Sequence, residues 1–290
     1  MKKIIVPIEE KFGLSAQIIE YIGITVKQEF QIVCLYIANP VKFRTKEEFH
    51  LRLNQLVENN IRPIYKRICK SNPNLKALKV ESRGQVNSVD NHIVEFANLQ
   101  QADFIVMVSQ SFTSELKNLW HQGKNITLKV IEKAGCPVFS FSSIPANARF
   151  QSIIIPVDDH NNTALKLEEI IEIASFFEAG VTLYSSVKGK SLQRIDQLNK
   201  LHREAESRLL QSNIMTEHFM DEQFRTEEGL LKCAVKRNIS MIILQTRPYG
   251  YGNNLPISPE TKKIVNSSAI PVLCLASKSE IVGLESLEVI

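Results

Sequence analysis

The stretch IIVPIE at residues 4–9 returns almost unchanged as IIIPVD at residues 153–158. Each copy is a short run of mainly β-branched apolar residues that ends at an acidic side chain. Such a run is typical of a β-strand that is buried on both faces of a parallel sheet. A repeat of about 140 residues is too long for a solenoid unit and indicates two tandem copies of one domain.

Two further landmarks recur in the same order in both halves of the chain. The first half has ADFIVM at residues 102–107 and GCPVF at 135–139, and the second has SMIILQ at 240–245 and AIPVL at 269–273. We therefore expect a first domain over residues 1–145 and a second over residues 150–279. Residues 280–290 are expected to form a tail.

Strand and helix periodicities alternate through both halves, which predicts a five-stranded doubly wound α/β domain with a parallel sheet in each. Pro63 lies inside a long helical pattern, so we expect a kink or break near Asn59 and Asn60. The predicted strands are residues 4–7, 31–37, 77–81, 104–108 and 138–141, then 152–157, 181–186, 214–218, 240–245 and 271–275. The predicted helices are residues 15–27, 46–70, 89–97, 125–133, 164–177, 192–210, 227–237 and 259–266.

Composition excludes several classes of function. The 290 residues carry a net charge of +4 with no cluster of Lys and Arg, which argues against a nucleic-acid surface. No apolar run approaches the length of a membrane span, and the N-terminal run is too short for a signal peptide. The five cysteines lack metal spacing. These features predict a reduced, metal-free cytoplasmic protein.

The order and duplication of these motifs resemble the universal stress protein family in its tandem two-domain form. The resemblance covers nearly the whole chain and implies Rossmann-like domains of the adenine nucleotide alpha hydrolase type. It also implies a nucleotide site that is built from an Asp after the first strand and a glycine loop after the fourth. In that loop Gly, two residues, Gly, nine residues and Gly precede Ser or Thr, so that backbone N–H groups and a helix N-terminus face the phosphates.

The first half departs from this pattern at every position. Glu9 replaces the Asp, and Val108 and Ser111 stand at the two leading glycine positions. Lys124 and Asn125 stand where Gly and Ser are expected, after a loop that is three residues longer than the family spacing.

The second half keeps more of the pattern. Asp158 and the nine-residue spacing are retained, but Gln245 and Pro248 replace the leading glycines, and Ser258-Pro259 stands in place of Gly-Ser. Each missing charge-assisted hydrogen bond to phosphate weakens binding by roughly 1.5–3 kcal/mol. We therefore predict no tight ATP site in either half. The candidate ligand-contacting residues of these degenerate sites are Asp158, Thr246, Arg247 and Ser258 in the second half and Glu9, Ser109, Lys124 and Asn125 in the first.

Several of these residues have a second interpretation. The run Asp158-Asp159-His160 resembles a metal or acid–base cluster, but it also suits a turn before a helix cap. Arg247 and the YGYG run at residues 249–252 could grip a phosphate and stack on a base, or they could form a flexible glycine loop. Ser258 before Pro259 fits a helix N-cap followed by proline in the first turn.

Three hypotheses for the function follow. The first is a non-catalytic regulatory or interaction module that binds an unidentified protein partner. The second is an ATP- or AMP-binding stress sensor that uses the second domain only. The third is an enzyme such as a slow ATPase or adenylyl-transferring relative, although no hydrolase nucleophile motif is present. The apolar fifth strands predict edge-to-edge pairing of the two domains within the chain, which leaves other faces open to a homodimer.

Overall fold

The computed structural model describes residues 1–8, 13–38, 45–84, 88–108, 126–145, 149–158, 166–246 and 257–275. Its first half contains β1 (Lys2–Ile8), α1 (Gly13–Thr25), β2 (Phe30–Ala38), α2 (Lys46–Leu56), α3 (Arg62–Ser71), β3 (Leu75–Gly84), α4 (Val89–Leu99), β4 (Phe104–Val108), α5 (Ile126–Lys133) and β5 (Val138–Phe141). The second half contains β6 (Ser152–Pro156), α6 (Leu167–Phe177), β7 (Gly180–Ser186), α7 (Leu192–Gln211), β8 (Thr216–Asp221), α8 (Thr226–Lys236), β9 (Met241–Gln245), α9 (Pro259–Ser267) and β10 (Val272–Leu275).

One ten-stranded sheet runs through both halves in the order β3-β2-β1-β4-β5-β10-β9-β6-β7-β8. Neighbouring strands within each half pair in parallel, which confirms the predicted α/β fold. The halves meet where β5 and β10 pair antiparallel, with Phe139 opposite Leu273. Each half therefore repeats the same strand order on its own side of that pair.

Alternating side chains of the strands divide the core between the two faces of the sheet. Ile4 and Val6 point to one face, which is covered by α1, α2, α3, α6 and α7. Ile5 points to the opposite face, which is covered by α4, α5, α8 and α9. Both layers extend across the two halves, so the central strands are buried on both sides as their continuous apolar runs predict.

An aromatic seam joins the halves beneath α6. Phe177 of α6 lies 4.9 Å from Phe150 and 5.8 Å from Phe139, measured between ring centroids. Phe176 stacks on Phe104 at 5.6 Å. Because the second half supplies α6 and the first supplies β4 and β5, these rings form one core that belongs to both domains.

The long helical segment of the first half is interrupted at the place that Pro63 predicts. Val57–Ile61 form a π-helical turn between α2 and α3, in which the Arg62 N–H donates to the Val57 carbonyl five residues earlier. Proline has no N–H for the usual bond to the carbonyl four residues back, that of Asn59. A wide turn accommodates this missing donor without ending the helix.

Gly229 of α8 is required by a close approach between α8 and the buried end of β8. The Tyr184 hydroxyl donates to the Asp221 carboxylate at 3.0 Å directly beneath this glycine. A Cβ at position 229 would lie 1.9 Å from the tyrosine oxygen and 2.6 Å from the carboxylate oxygen. Either the hydrogen bond or the helix would have to shift.

We expect Gly229→Ala to lower the free energy of unfolding by about 1–3 kcal/mol, because it overpacks this contact. Urea denaturation of the variant measures the loss. The matched control is Gly13→Ala in α1, where an added Cβ has no described atom within 4 Å. Equal stabilities of the two variants would contradict the account of Gly229.

Candidate functional site

The predicted site of the second half lies at the carboxyl ends of β6, β9 and β10. Ligands of open α/β sheets bind beyond these strand ends. Asp158, Thr246 and Ser258 are described by the structure and lie after β6, after β9 and before α9. Five other candidates lie outside the described residues: Glu9, Ser109, Lys124, Asn125 and Arg247.

The Asp158 carboxylate lies near a positively charged side chain, that of Lys190. The Lys190 ammonium lies 3.7 Å from the Asp158 carboxylate, and both side chains are partly shielded from solvent. A carboxylate in this arrangement is already compensated by a positive charge. Asp159 and His160 lie outside the described residues, and within the described ranges no three His, Cys, Asp or Glu side chains form a metal-binding group.

Lys166 is a residue of this site that the sequence patterns did not identify. Its ammonium donates to the carbonyls of Thr246 and Leu275, at 3.2 and 3.3 Å, and so caps the ends of β9 and β10. Burial lowers the pKa of this lysine, while the nearby Glu169 carboxylate opposes that shift. The Thr246 hydroxyl also donates to the Leu275 carbonyl at 2.6 Å. The protein's own groups therefore occupy these strand ends.

Gln245 stands where the family pattern places its first loop glycine. The Gln245 amide nitrogen is buried and has no hydrogen-bond acceptor among the residues that the structure describes. A buried donor without a partner is costly, commonly by about 1–3 kcal/mol. The side chain therefore presents an unmet donor at the carboxyl end of β9.

Ser258 has the structure of a helix cap. Its hydroxyl oxygen accepts the Thr261 N–H at 3.1 Å, and Pro259 follows in the first turn of α9. This confirms the interpretation as N-cap and proline. A contact between Ser258 and a ligand stays a prediction.

A buried polar chain lies beneath the strand end that carries Asp158. The Ser185 hydroxyl donates to the Val157 carbonyl at 2.6 Å and lies 2.8 Å from Nε2 of His202 in α7. Nδ1 of His202 is buried and has no hydrogen-bond partner in the described part of the chain. Burial lowers the pKa of His202 to about 4, and the neighbouring His218 adds to this shift. The imidazole is therefore neutral at physiological pH.

Comparison with known proteins rests on structure. No protein-family model matches the chain, and no curated protein matches it. A universal stress protein from Archaeoglobus fulgidus DSM 4304 superimposes with a TM-score of 0.66 at 14% identity, over 94% of this chain and 96% of that one. The chain has the tandem universal stress protein fold.

Two further structures share this universal-stress-type fold. A protein of unknown function from Pseudomonas aeruginosa PAO1 has a TM-score of 0.63 at 15% identity, over 95% of this chain and 92% of its own. The cytoplasmic domain of a prokaryotic cation chloride cotransporter has a TM-score of 0.53 at 10% identity, over 96% and 97%. Within the described ranges of this chain, no helix combines the length and apolar character needed to cross a membrane.

Proposed function

We propose that this protein is a non-catalytic member of the universal stress protein family and acts in the cytoplasm as a regulatory or interaction module. Its two domains span residues 1–145 and 150–279, and residues 280–290 are a tail. Both nucleotide sites are degenerate. The fold supports a stress-response role, and the departures from the glycine-loop pattern support the loss of nucleotide chemistry.

One observation supports this proposal above the others, and it is the position of Lys166. In a nucleotide site of this pattern the carboxyl ends of the first and fourth strands stay open for the ligand. Here the Lys166 ammonium binds the carbonyls at the ends of β9 and β10, and Lys190 compensates Asp158. A nucleotide would have to displace these contacts without the backbone donors that glycines supply.

We expect calorimetric titration of the full chain with ATP to give a dissociation constant weaker than about 100 µM, because two or three phosphate contacts are missing. Low-micromolar affinity would contradict the proposal. The same titration with ADP, AMP and cyclic nucleotides tests the other members of the ligand class.

A second candidate function is a nucleotide sensor that uses the second domain only. The buried Gln245 amide favours it, because a ligand oxygen would satisfy this unmet donor. Asp158 and Arg247, which follows Gln245 by two positions in the sequence, would complete the site. If ATP or AMP raises the melting temperature, Gln245→Leu and Arg247→Ala should each reduce that shift, while Lys124→Ala in the first domain should leave it unchanged. The opposite pattern would move the site to the first domain.

The interaction module needs surfaces for its partners. We propose that the pairing of β5 with β10 holds the domains together in solution and that the remaining faces serve a homodimer or an unidentified protein partner. Analytical ultracentrifugation distinguishes a monomer from a homodimer.

A further inference from the structure

A cleft of about 210 Å³ opens in the first domain beside α2 and the carboxyl-terminal part of β2. It is separate from the glycine-loop pattern and contains none of the candidate residues of the nucleotide sites. Its lining residues are Tyr36, Arg52, Gln55, Leu56, Asn59 and Asn60.

The cleft has an apolar floor and a polar rim. Tyr36 and Leu56 form the floor and are only 2% and 7% exposed. The ring of Tyr36 stacks on Phe49 at 6.1 Å between centroids, which fixes its plane. Ligand pockets commonly combine such an apolar base with a few convergent polar groups.

The rim follows from helix geometry and from the π-helical turn. Arg52, Gln55 and Asn59 are spaced three and four residues apart, so they share one face of the helical segment. Asn59 and Asn60 lie within the turn Val57–Ile61 that Pro63 imposes. Turns of this kind inside α-helices occur frequently at functional sites.

The rim side chains are available to a ligand. Arg52, Gln55 and Asn59 make no side-chain hydrogen bond or ion pair with any residue that the structure describes. Asn60 makes one long contact, in which its amide donates to the Leu56 carbonyl at 3.4 Å. One cation and three amide groups therefore surround the opening.

The second domain fills the corresponding place with its own side chains. Tyr36 lies opposite Ile8 in the sheet, and the repeat of the opening motif matches Ile8 with Val157. The Ser185 hydroxyl donates to the Val157 carbonyl, so Ser185 takes the place that Tyr36 has in the first domain. His202 of the unbroken helix α7 lies over Ser185. Among the described residues, the matched position of the second domain is thus occupied by Ser185 and His202.

We propose that this cleft binds a small anionic molecule that carries hydroxyl groups, such as a sugar phosphate or a sugar acid. Arg52 pairs with the phosphate or carboxylate, for which the planar guanidinium has matching donors. The amides of Gln55, Asn59 and Asn60 both donate to and accept from hydroxyl groups. The floor of Tyr36 and Leu56 packs against the carbon skeleton of the ligand.

The test is calorimetric titration of the full chain with ribose 5-phosphate and gluconate, beside ribose and inorganic phosphate. We expect millimolar or tighter binding of at least one of the first two probes and weaker binding of ribose and of phosphate alone. Binding of ribose 5-phosphate but not gluconate assigns the ligand to phosphates, and the reverse assigns it to sugar acids. Arg52→Met keeps the aliphatic stem and should weaken binding roughly tenfold to a hundredfold.

The matched control is Arg203→Met, which removes an exposed arginine from α7 of the second domain and should leave binding unchanged. Asn59→Ala should weaken binding less than Arg52→Met does. Failure of both anionic probes to bind at millimolar concentration would overturn the proposal. Equal affinity of the parent and Arg52→Met would overturn it too, whatever the outcome of the ATP titration.

Discussion

The variant Phe177→Ala should lose about 3–5 kcal/mol of unfolding free energy, the usual cost of removing a buried phenylalanine. The ring of Phe177 is 5% exposed and lies against Phe104, Phe139, Phe150 and Phe176. Its removal leaves a cavity in a core that both domains share. We therefore expect the two domains to loosen as well as the chain to destabilise. Guanidinium denaturation measures the loss, and small-angle scattering measures the separation of the domains.

Leu192→Ala is the control for this substitution. Leu192 is 82% exposed at the start of α7, and its truncation should change stability by only a few tenths of a kcal/mol. A Phe177→Ala variant that matches the parent in both stability and scattering profile would show that the aromatic seam does not hold the domains together.

The second large effect that we expect is a fall in the free energy of unfolding at acidic pH, which is caused by His202. Its pKa is about 4 in the folded protein against 6.5 for an ordinary histidine. Between these values the unfolded chain binds a proton that the folded chain excludes, so stability falls as pH falls through this window. Integrated over the window, this linkage amounts to about 3 kcal/mol. Below about pH 4 both states are protonated, and the contribution of His202 no longer changes.

Urea denaturation between pH 4 and pH 7 tests this linkage by comparing the parent with His202→Phe. Phenylalanine fills the place of the ring and does not titrate, so the stability of this variant should fall less on acidification. The control is His50→Gln, because His50 is exposed on α2 of the first domain. Parallel pH profiles for the parent and His202→Phe would exclude a role of His202 in the acid sensitivity.

Most of the fold follows from local sequence because the central strands are buried on both faces and each helix has one apolar stripe. The predicted bounds of β4 and β5 agree with the structure, and the expected break before Pro63 is present as a π-helical turn. The prediction for the start of β8 is wrong, since the sequence pattern places it at residue 214 and the strand begins at Thr216. Asn213 has a positive φ of 58°, and the Ile214 N–H donates to the Leu209 carbonyl, so Ile214 closes the end of α7. Periodicity does not separate such a helix-terminating apolar residue from the first residue of a strand.

The candidate site was less predictable, because its geometry depends on contacts between distant parts of the chain. Lys166 reaches carbonyls that are 80 and 109 residues away, and no local pattern marks such a contact. The sequence does single out Gln245, because it replaces a glycine of the family pattern. The burial of its amide is visible only in three dimensions. Whether Arg247, Lys124, Asn125, Glu9 or Ser109 contacts a ligand stays a prediction.

The antiparallel pairing of β5 with β10 reverses the direction of the strands at the middle of the sheet. The strands of the first half end at one pole of the molecule, and those of the second half end at the opposite pole. A ligand bound at the strand ends of one half would therefore face away from a ligand bound by the other half. Ligands at both sets of strand ends would not clash, and no single small ligand could contact both halves. The chain thus has the geometry of a bridge that could hold two separate ligands on opposite sides of the molecule.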